Sequence, residues 1–151
     1  MEARRWNVYL SGEIHSDWRS VIESSCAELG VPVRLMGPQT DHARSDGAGD
    51  VLGDENKAFW RDHKSAKVNA IRTRGLLRNC DIVVVRFGEK YRQWNAAFDA
   101  GMAMAWGKSI ITLHDEALDH ALKEIDAAAL ATARRPDQVV SILQYVTAQP
   151  F

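Results

Sequence analysis

The sequence predicts a single α/β domain over 1–151, a three-layer sandwich in which about five mostly parallel strands lie between helices. Three observations predict it. Short apolar runs alternate with longer stretches of helical periodicity. The run Ile82-Val83-Val84-Val85 is apolar on both faces, as in a buried parallel strand. The chain has 151 residues, 46% of them hydrophobic, enough for one sizeable core.

The elements follow in order. Trp6 to Leu10 reads as the first strand, bounded by Ser11-Gly12. The charged start, Met1 to Arg5, lacks the apolar core of a signal peptide. A helix comes next, with Ser16 as its N-cap and Trp18, Val21, Ile22, Cys26 and Leu29 at helical spacing; Gly30 stops it. Val33 to Met36 is a second strand, closed by Gly37-Pro38. The polar, glycine-bearing stretch from Gln39 to Lys57 is too long for an ordinary connection, so it is an excursion over a site or a mobile flap. Phe59 to Leu77 is helical, and Asp81 to Phe87 is the central strand. Asn95 to Trp106, rich in Ala and Met, predicts a tightly packed helix ended by Gly107. Ser109 to Leu113 is a strand, Glu116 to Ile125 a helix, and Ala128 to Ala133 a weak edge strand. Pro136 suits the first turn of a final helix through Tyr145. Right-handed crossovers then give a flavodoxin- or Rossmann-like topology, with ligand beyond the carboxyl ends of the strands where their order reverses. Tyr9 to His15, Gly37 to Asp46, Arg86 to Asn95 and His114-Asp115 would surround such a pocket.

Composition narrows the function. A net charge of -1 leaves no basic field for nucleic acid and no polybasic stripe for a membrane. No apolar run approaches the ~20 residues that cross a bilayer. Cys26 and Cys80 read as buried free thiols, which suits a cytoplasmic protein. No His/Cys cluster has metal-ligand spacing, so no metal or cofactor is expected. A G-x-S-x-G nucleophile elbow is absent.

Several residues carry candidate chemistry. Gly12 lets backbone N–H groups approach a ligand at the start of a helix, with Tyr9, Glu13 and His15 around it. Tyr9 reads equally well as a core aromatic, and His15 as an exposed residue before a cap. Asp99 lies in an otherwise almost uncharged helix, so it is buried with a partner, exposed in a cleft, or on the helix's one wet face. Gln93-Trp94-Asn95 offers a stacking plane and amides suited to a nucleobase or sugar. Arg72 precedes the central strand, while Arg74 and Arg78 default to a solvated face. The excursion concentrates Asp41, His42, Arg44 and Asp46.

These strings resemble a known family. Tyr9-Leu10-Ser11-Gly12-Glu13-Ile14-His15, His42-Ala43-Arg44-Ser45-Asp46, Arg72-Thr73, Phe87-Gly88-Glu89-Lys90-Tyr91, Gln93-Trp94-Asn95 and the Asp99-Ala100 pair are similar, in the same order, to the YtoQ family within the nucleoside 2-deoxyribosyltransferase-like superfamily. The resemblance covers nearly the whole chain. It implies an enzyme that cleaves a base–sugar bond through a glycosyl-carboxylate intermediate. Asp99 then stands at the nucleophile's place, where the enzymes have glutamate, and Tyr9 matches the tyrosine that orients it. A second carboxylate of those enzymes falls near Thr73, leaving the proton donor vacant or moved.

Two functions follow. One is an N-glycosidase or glycosyltransferase acting on a nucleoside, nucleotide or related ribosyl compound, in which Asp99 attacks, Tyr9 positions it and Trp94 stacks. Gly12, Glu13, His15, Gln93 and Asn95 would line the ligand, with Arg44, Asp46 or Arg72 on the leaving group or a phosphate. The other is a non-catalytic module that binds the same nucleotide-like ligand. Trp94, Trp106 and Met104, together with the resemblance, predict a homodimer or higher homo-oligomer.

Overall fold

The computed structural model describes residues 4–148. The first three residues of the charged start and the last three of the chain lie outside the described residues. Strands β1 (Trp6–Gly12), β2 (Val33–Met36), β3 (Ile82–Arg86), β4 (Ser109–Leu113) and β5 (Ala131–Ala133) form one sheet. Its order is β2-β1-β3-β4-β5 and every pairing is parallel. Helices α1 (Trp18–Glu28), α2 (His42–Asp46), α3 (Ala58–Asn79), α4 (Trp94–Ala105), α5 (Lys123–Ala128) and α6 (Pro136–Val146) connect and flank the strands. This is the predicted α/β architecture. The chain order reverses between β1 and β3, where an open sheet splits and ligands bind.

The alternation of strand side chains builds two cores. On one face Val8, Leu10, Val84 and Ile111 meet Trp18, Ile22 and Cys26 of α1 and Val139, Val140 and Leu143 of α6. On the other, Tyr9, Val83, Val85 and Ile110 meet Leu77 of α3 and Ala96, Ala100 and Ala103 of α4. Each large apolar side chain so buried contributes roughly 1.5–3 kcal/mol. The alanines recur at i, i+4 and i+7, so α4 lays a smooth face on the sheet.

Several boundaries differ from the sequence reading. Strand β1 does not stop at Leu10, because Ser11 and Gly12 pair with Val85 and Arg86. Gly12 takes φ 110°, and a Cβ there would lie 2.1 Å from the Arg86 carbonyl oxygen. No other residue fits this crossing of strands. Ser16 does not cap α1. Asp17 is the N-cap, without a side-chain bond, and the Ser16 hydroxyl donates instead to Glu13 Oε2 at 2.5 Å. The helix expected over Glu116 to Ile125 divides into a 3₁₀ turn at Glu116–Leu118 and the later α5. Asp115 closes that turn by accepting from Ala117 N–H, and α5 brings Asp126 to Thr112 and His114. The excursion after β2 is folded on itself as α2 and a 3₁₀ turn at Asp50–Leu52. Ser65 of α3 fastens it: its hydroxyl donates to Asp46 O at 2.6 Å and accepts from Gly49 N–H at 3.0 Å. Asn69 donates to Ser45 O at 3.1 Å. Trp106, one of the residues read as favouring an oligomer, is half-buried against the α4 core with the Arg78 guanidinium 5.0 Å from its ring. Both cysteines are buried and free. Among the described residues no helix is long and apolar enough to cross a membrane.

Candidate functional site

A cavity of about 800 Å³ opens beyond the carboxyl ends of β1 and β3. Its floor is Gly12 and Asp99, its walls are the loops after β1 and β3 and the middle of α3, and the excursion overhangs it. Of the predicted site residues, Gly12, Glu13, His15, Asp46, Arg72, Gln93, Trp94, Asn95 and Asp99 all line it. Three expectations about placement are corrected. Arg44 is exposed on α2 outside the lining, because that helical turn points Asp46 inward instead. Tyr9 is wholly buried one step below the floor, since the strand carries its ring into the α3–α4 core. His114 is also wholly buried, away from the cavity, with Nε2 2.8 Å from Asp126 and Nδ1 2.8 Å from Asp115 O.

The floor is set by strand alternation. Tyr9 and Ser11 leave β1 on the same face, and that face meets α4. The Ser11 hydroxyl donates to Asp99 Oδ2 at 2.6 Å. Burial pushes the Asp99 carboxyl above its ordinary range, and the Ser11 bond partly counters this. The sequence reading gave Asp99 a hydroxyl from Tyr9; the structure gives it Ser11. Serine two residues after Tyr9 on a strand was the available signal. The Tyr9 hydroxyl finds no hydrogen-bond partner among protein atoms. Burial, and then the charge of Asp99, push it up to about 12, with Thr73, Arg72 and Arg19 pulling the other way. Thr73 lies beside it without the geometry of a hydrogen bond.

The loop after β1 is rigid for a definite reason. The Arg19 guanidinium donates to Leu10 O at 3.0 Å, Gly12 O at 3.0 Å and Glu13 O at 2.6 Å. Burial pulls this arginine down to about 10, so it remains charged at neutral pH. Glu13 is 5% exposed and turns back on its own loop, accepting from Ser16 and from His15 N–H. Burial raises its carboxyl, but those donors and the nearby His15 ring outweigh it and the net direction is down. Gly88 makes room for it: a Cβ there would lie 2.6 Å from Glu13 Cγ. Above the floor, His15 sits between two rings. Tyr91, from the loop after β3, is 4.8 Å away centroid to centroid, and His42, from α2, is 5.6 Å away and nearly parallel. Tyr91 holds φ 62°, a left-handed backbone uncommon for a bulky residue and frequent at ligand sites. Arg72 donates to Gly37 O at 2.7 Å, which steadies the far wall.

Two other places gather polar groups. A smaller hollow of about 450 Å³ lies at the end of β2 over Met36 and Arg19, and the Arg19 nitrogens are already used. His114, Asp119 and Asp126 bring ligand atoms within 4.8 Å of one another. Those atoms satisfy each other, and Arg134 takes both Asp119 oxygens, so the cluster reads as an ion network that ties β4 to α5.

Comparison with known proteins gives the family and the fold. Residues 9–147 match the family described as nucleoside 2-deoxyribosyltransferase YtoQ. The chain is 41% identical over 140 residues to the uncharacterized protein YtoQ of Bacillus subtilis strain 168, covering 92% of this chain and 95% of that one. In fold it is similar to a 2-deoxyribosyltransferase of Bacillus psychrosaccharolyticus, with a TM-score of 0.55, 15% identity, and 96% and 98% of the two chains covered. It is also similar to a conserved protein of Enterococcus faecalis V583, with a TM-score of 0.66, 13% identity, and 95% and 99% covered. A family model matched over residues 9–147 and a relative aligned over nearly its full length place this chain in the YtoQ family of nucleoside 2-deoxyribosyltransferase-like proteins.

Proposed function

We propose that the chain is an N-glycosidase or glycosyltransferase that acts on a nucleoside, nucleotide or related ribosyl compound, with Asp99 as nucleophile. One observation carries the reading. A half-buried carboxylate on the cavity floor has one oxygen held by Ser11, and among the described residues no donor bonds the other. Partial removal from water makes such a carboxylate more reactive, while the hydroxyl keeps it charged and aimed. The free oxygen attacks the anomeric carbon as the carbon–nitrogen bond breaks, and the electron pair leaves with the base. Water or a second base then releases the glycosyl ester. Tyr9, protonated at neutral pH, stands beneath as a steadying dipole. The exposed Trp94 ring supplies a plane for base or sugar, flanked by the Gln93 and Asn95 amides. Asp46 and the remaining donors of Arg72 face the ligand from the overhang and the far wall.

A binding module is the second reading, favoured by one observation: Glu13, the acid nearest the Gly12 turn, is held in its charged form and so keeps no proton to donate. Asp99→Asn separates the two. The asparagine keeps the shape and removes the charge. Release of free base from a panel of deoxynucleosides is expected to vanish, with ligand affinity by calorimetry kept within about tenfold, or ~1.4 kcal/mol. Full turnover in this variant ends the nucleophile reading. Binding without turnover in the wild-type protein establishes the module.

A further inference from the structure

We propose that His15 is the general acid of this site: its imidazole lies at the cavity wall, between Tyr91 and His42, where it can reach the departing base. The assignment rests on the glycosidase reading above and supplies what that reading lacks. Expelling a nucleobase as an anion is costly, so the leaving nitrogen needs a proton as its bond to the sugar breaks. The carboxylates at the cavity do not offer one. Glu13 is tied by Ser16 and by His15 N–H. Asp46 and Asp62 line the rim, exposed to water on α2 and α3 rather than on the loop that carries Ser11. Asp99 is the attacking group. Imidazole is the side chain that can hold and release a proton near neutrality.

His15 is also the histidine with a built position. It follows Ser11 by four residues on a loop that Arg19 fixes, so the hydroxyl that aims the nucleophile and the proposed acid share one rigid segment. The groups facing its ring are Tyr91 from the loop after β3, His42 from α2 and Glu13 from its own loop. In the first step the imidazolium gives its proton to the base nitrogen that receives the bond pair. In the second step the neutral imidazole takes a proton from the attacking water, or from the N–H of an acceptor base, and is restored.

The test contrasts two leaving groups. 2′-Deoxyguanosine needs its base protonated. 7-Methyl-2′-deoxyguanosine already carries the positive charge and leaves as a neutral base. His15→Gln is expected to lower turnover of the first by at least about a hundredfold, the lower end of what general acids contribute. Turnover of the second is expected to stay within tenfold, which also shows that the variant is folded. Equal loss on both probes, or no loss on either, overturns the assignment. If wild type turns over both probes and only Asp99→Asn is inactive, the nucleophile reading survives and His15 is not the acid. Wild-type protein that cleaves neither probe overturns both.

Discussion

Glu13 and Asp99 are both carboxylates at one cavity, and their surroundings move them in opposite directions. Glu13 has three donors and a nearby imidazole, so its charged form is favoured in the folded state. A carboxyl lowered on folding adds stability above its unfolded range near 4.5, and that stability is lost as pH falls through the folded value. Glu13→Gln is therefore expected to destabilise the protein by about 1–3 kcal/mol at neutral pH, the value of hydrogen bonds to a buried charge. Chemical denaturation as a function of pH reads this directly. The gap between wild type and variant closes under acid conditions, and a gap that persists there would mean lost packing rather than lost charge. Asp99 was legible in the sequence because a lone charge in an alanine-rich helix has to be explained. Its partner Ser11 was not, because the apolar run that marks the first strand ends at Leu10, two residues short of its true end. Once β1 runs to Gly12, alternation puts Ser11 beside Tyr9 on the α4 face.

At the scale of elements, the strands were the most legible part. β3 and β4 are buried on both faces, so apolar residues fall on both sides of each, as in Ile82-Val83-Val84-Val85 and Ile110-Ile111. The short α5 was less so, since its position depends on Asp126 reaching Thr112 and His114 across the sheet edge, a tertiary demand that periodicity does not carry. The excursion from Gln39 to Lys57 lies between these cases. Its polarity predicts a loop, while its docking depends on one serine of α3. Gly49 approaches so closely that a Cβ would lie 2.6 Å from Lys64 Cβ. Ser65→Ala removes a donor and an acceptor together, leaving Asp46 O and Gly49 N–H without that partner. Hydrogen exchange is expected to quicken across residues 42–53 by roughly tenfold, for about 1–2 kcal/mol of lost local stability. The sheet strands keep their protection. Added ligand is expected to slow the same segment, and a segment already as slow as β3 without ligand would show that the excursion does not open.

For the whole molecule, exposed apolar side chains occur on several elements, α4 among them. Trp94, Phe98 and Met104 of α4 are each more than 60% exposed. Large apolar side chains exposed in this way mark a candidate interaction surface. The expected state is a homodimer or higher homo-oligomer, read by light scattering at micromolar concentration, with Phe98→Asp shifting it toward the monomer. A wild-type monomer at that concentration contradicts the expectation. Another consequence at this scale comes from the hydrogen bond between Ser11 and Asp99, whose partners are 88 residues apart. A chain leaving the ribosome has made β1 and β2 long before β3 and α4 emerge, and β1 can satisfy only one edge until they do. The other edge then waits, open to wrong pairing, and non-local closure is the slow part of such topologies. The serine and the carboxylate meet only after that closure. No fragment ending before α4 holds the Ser11–Asp99 pair, so the proposed chemistry begins only in a chain that has joined β3 to β1.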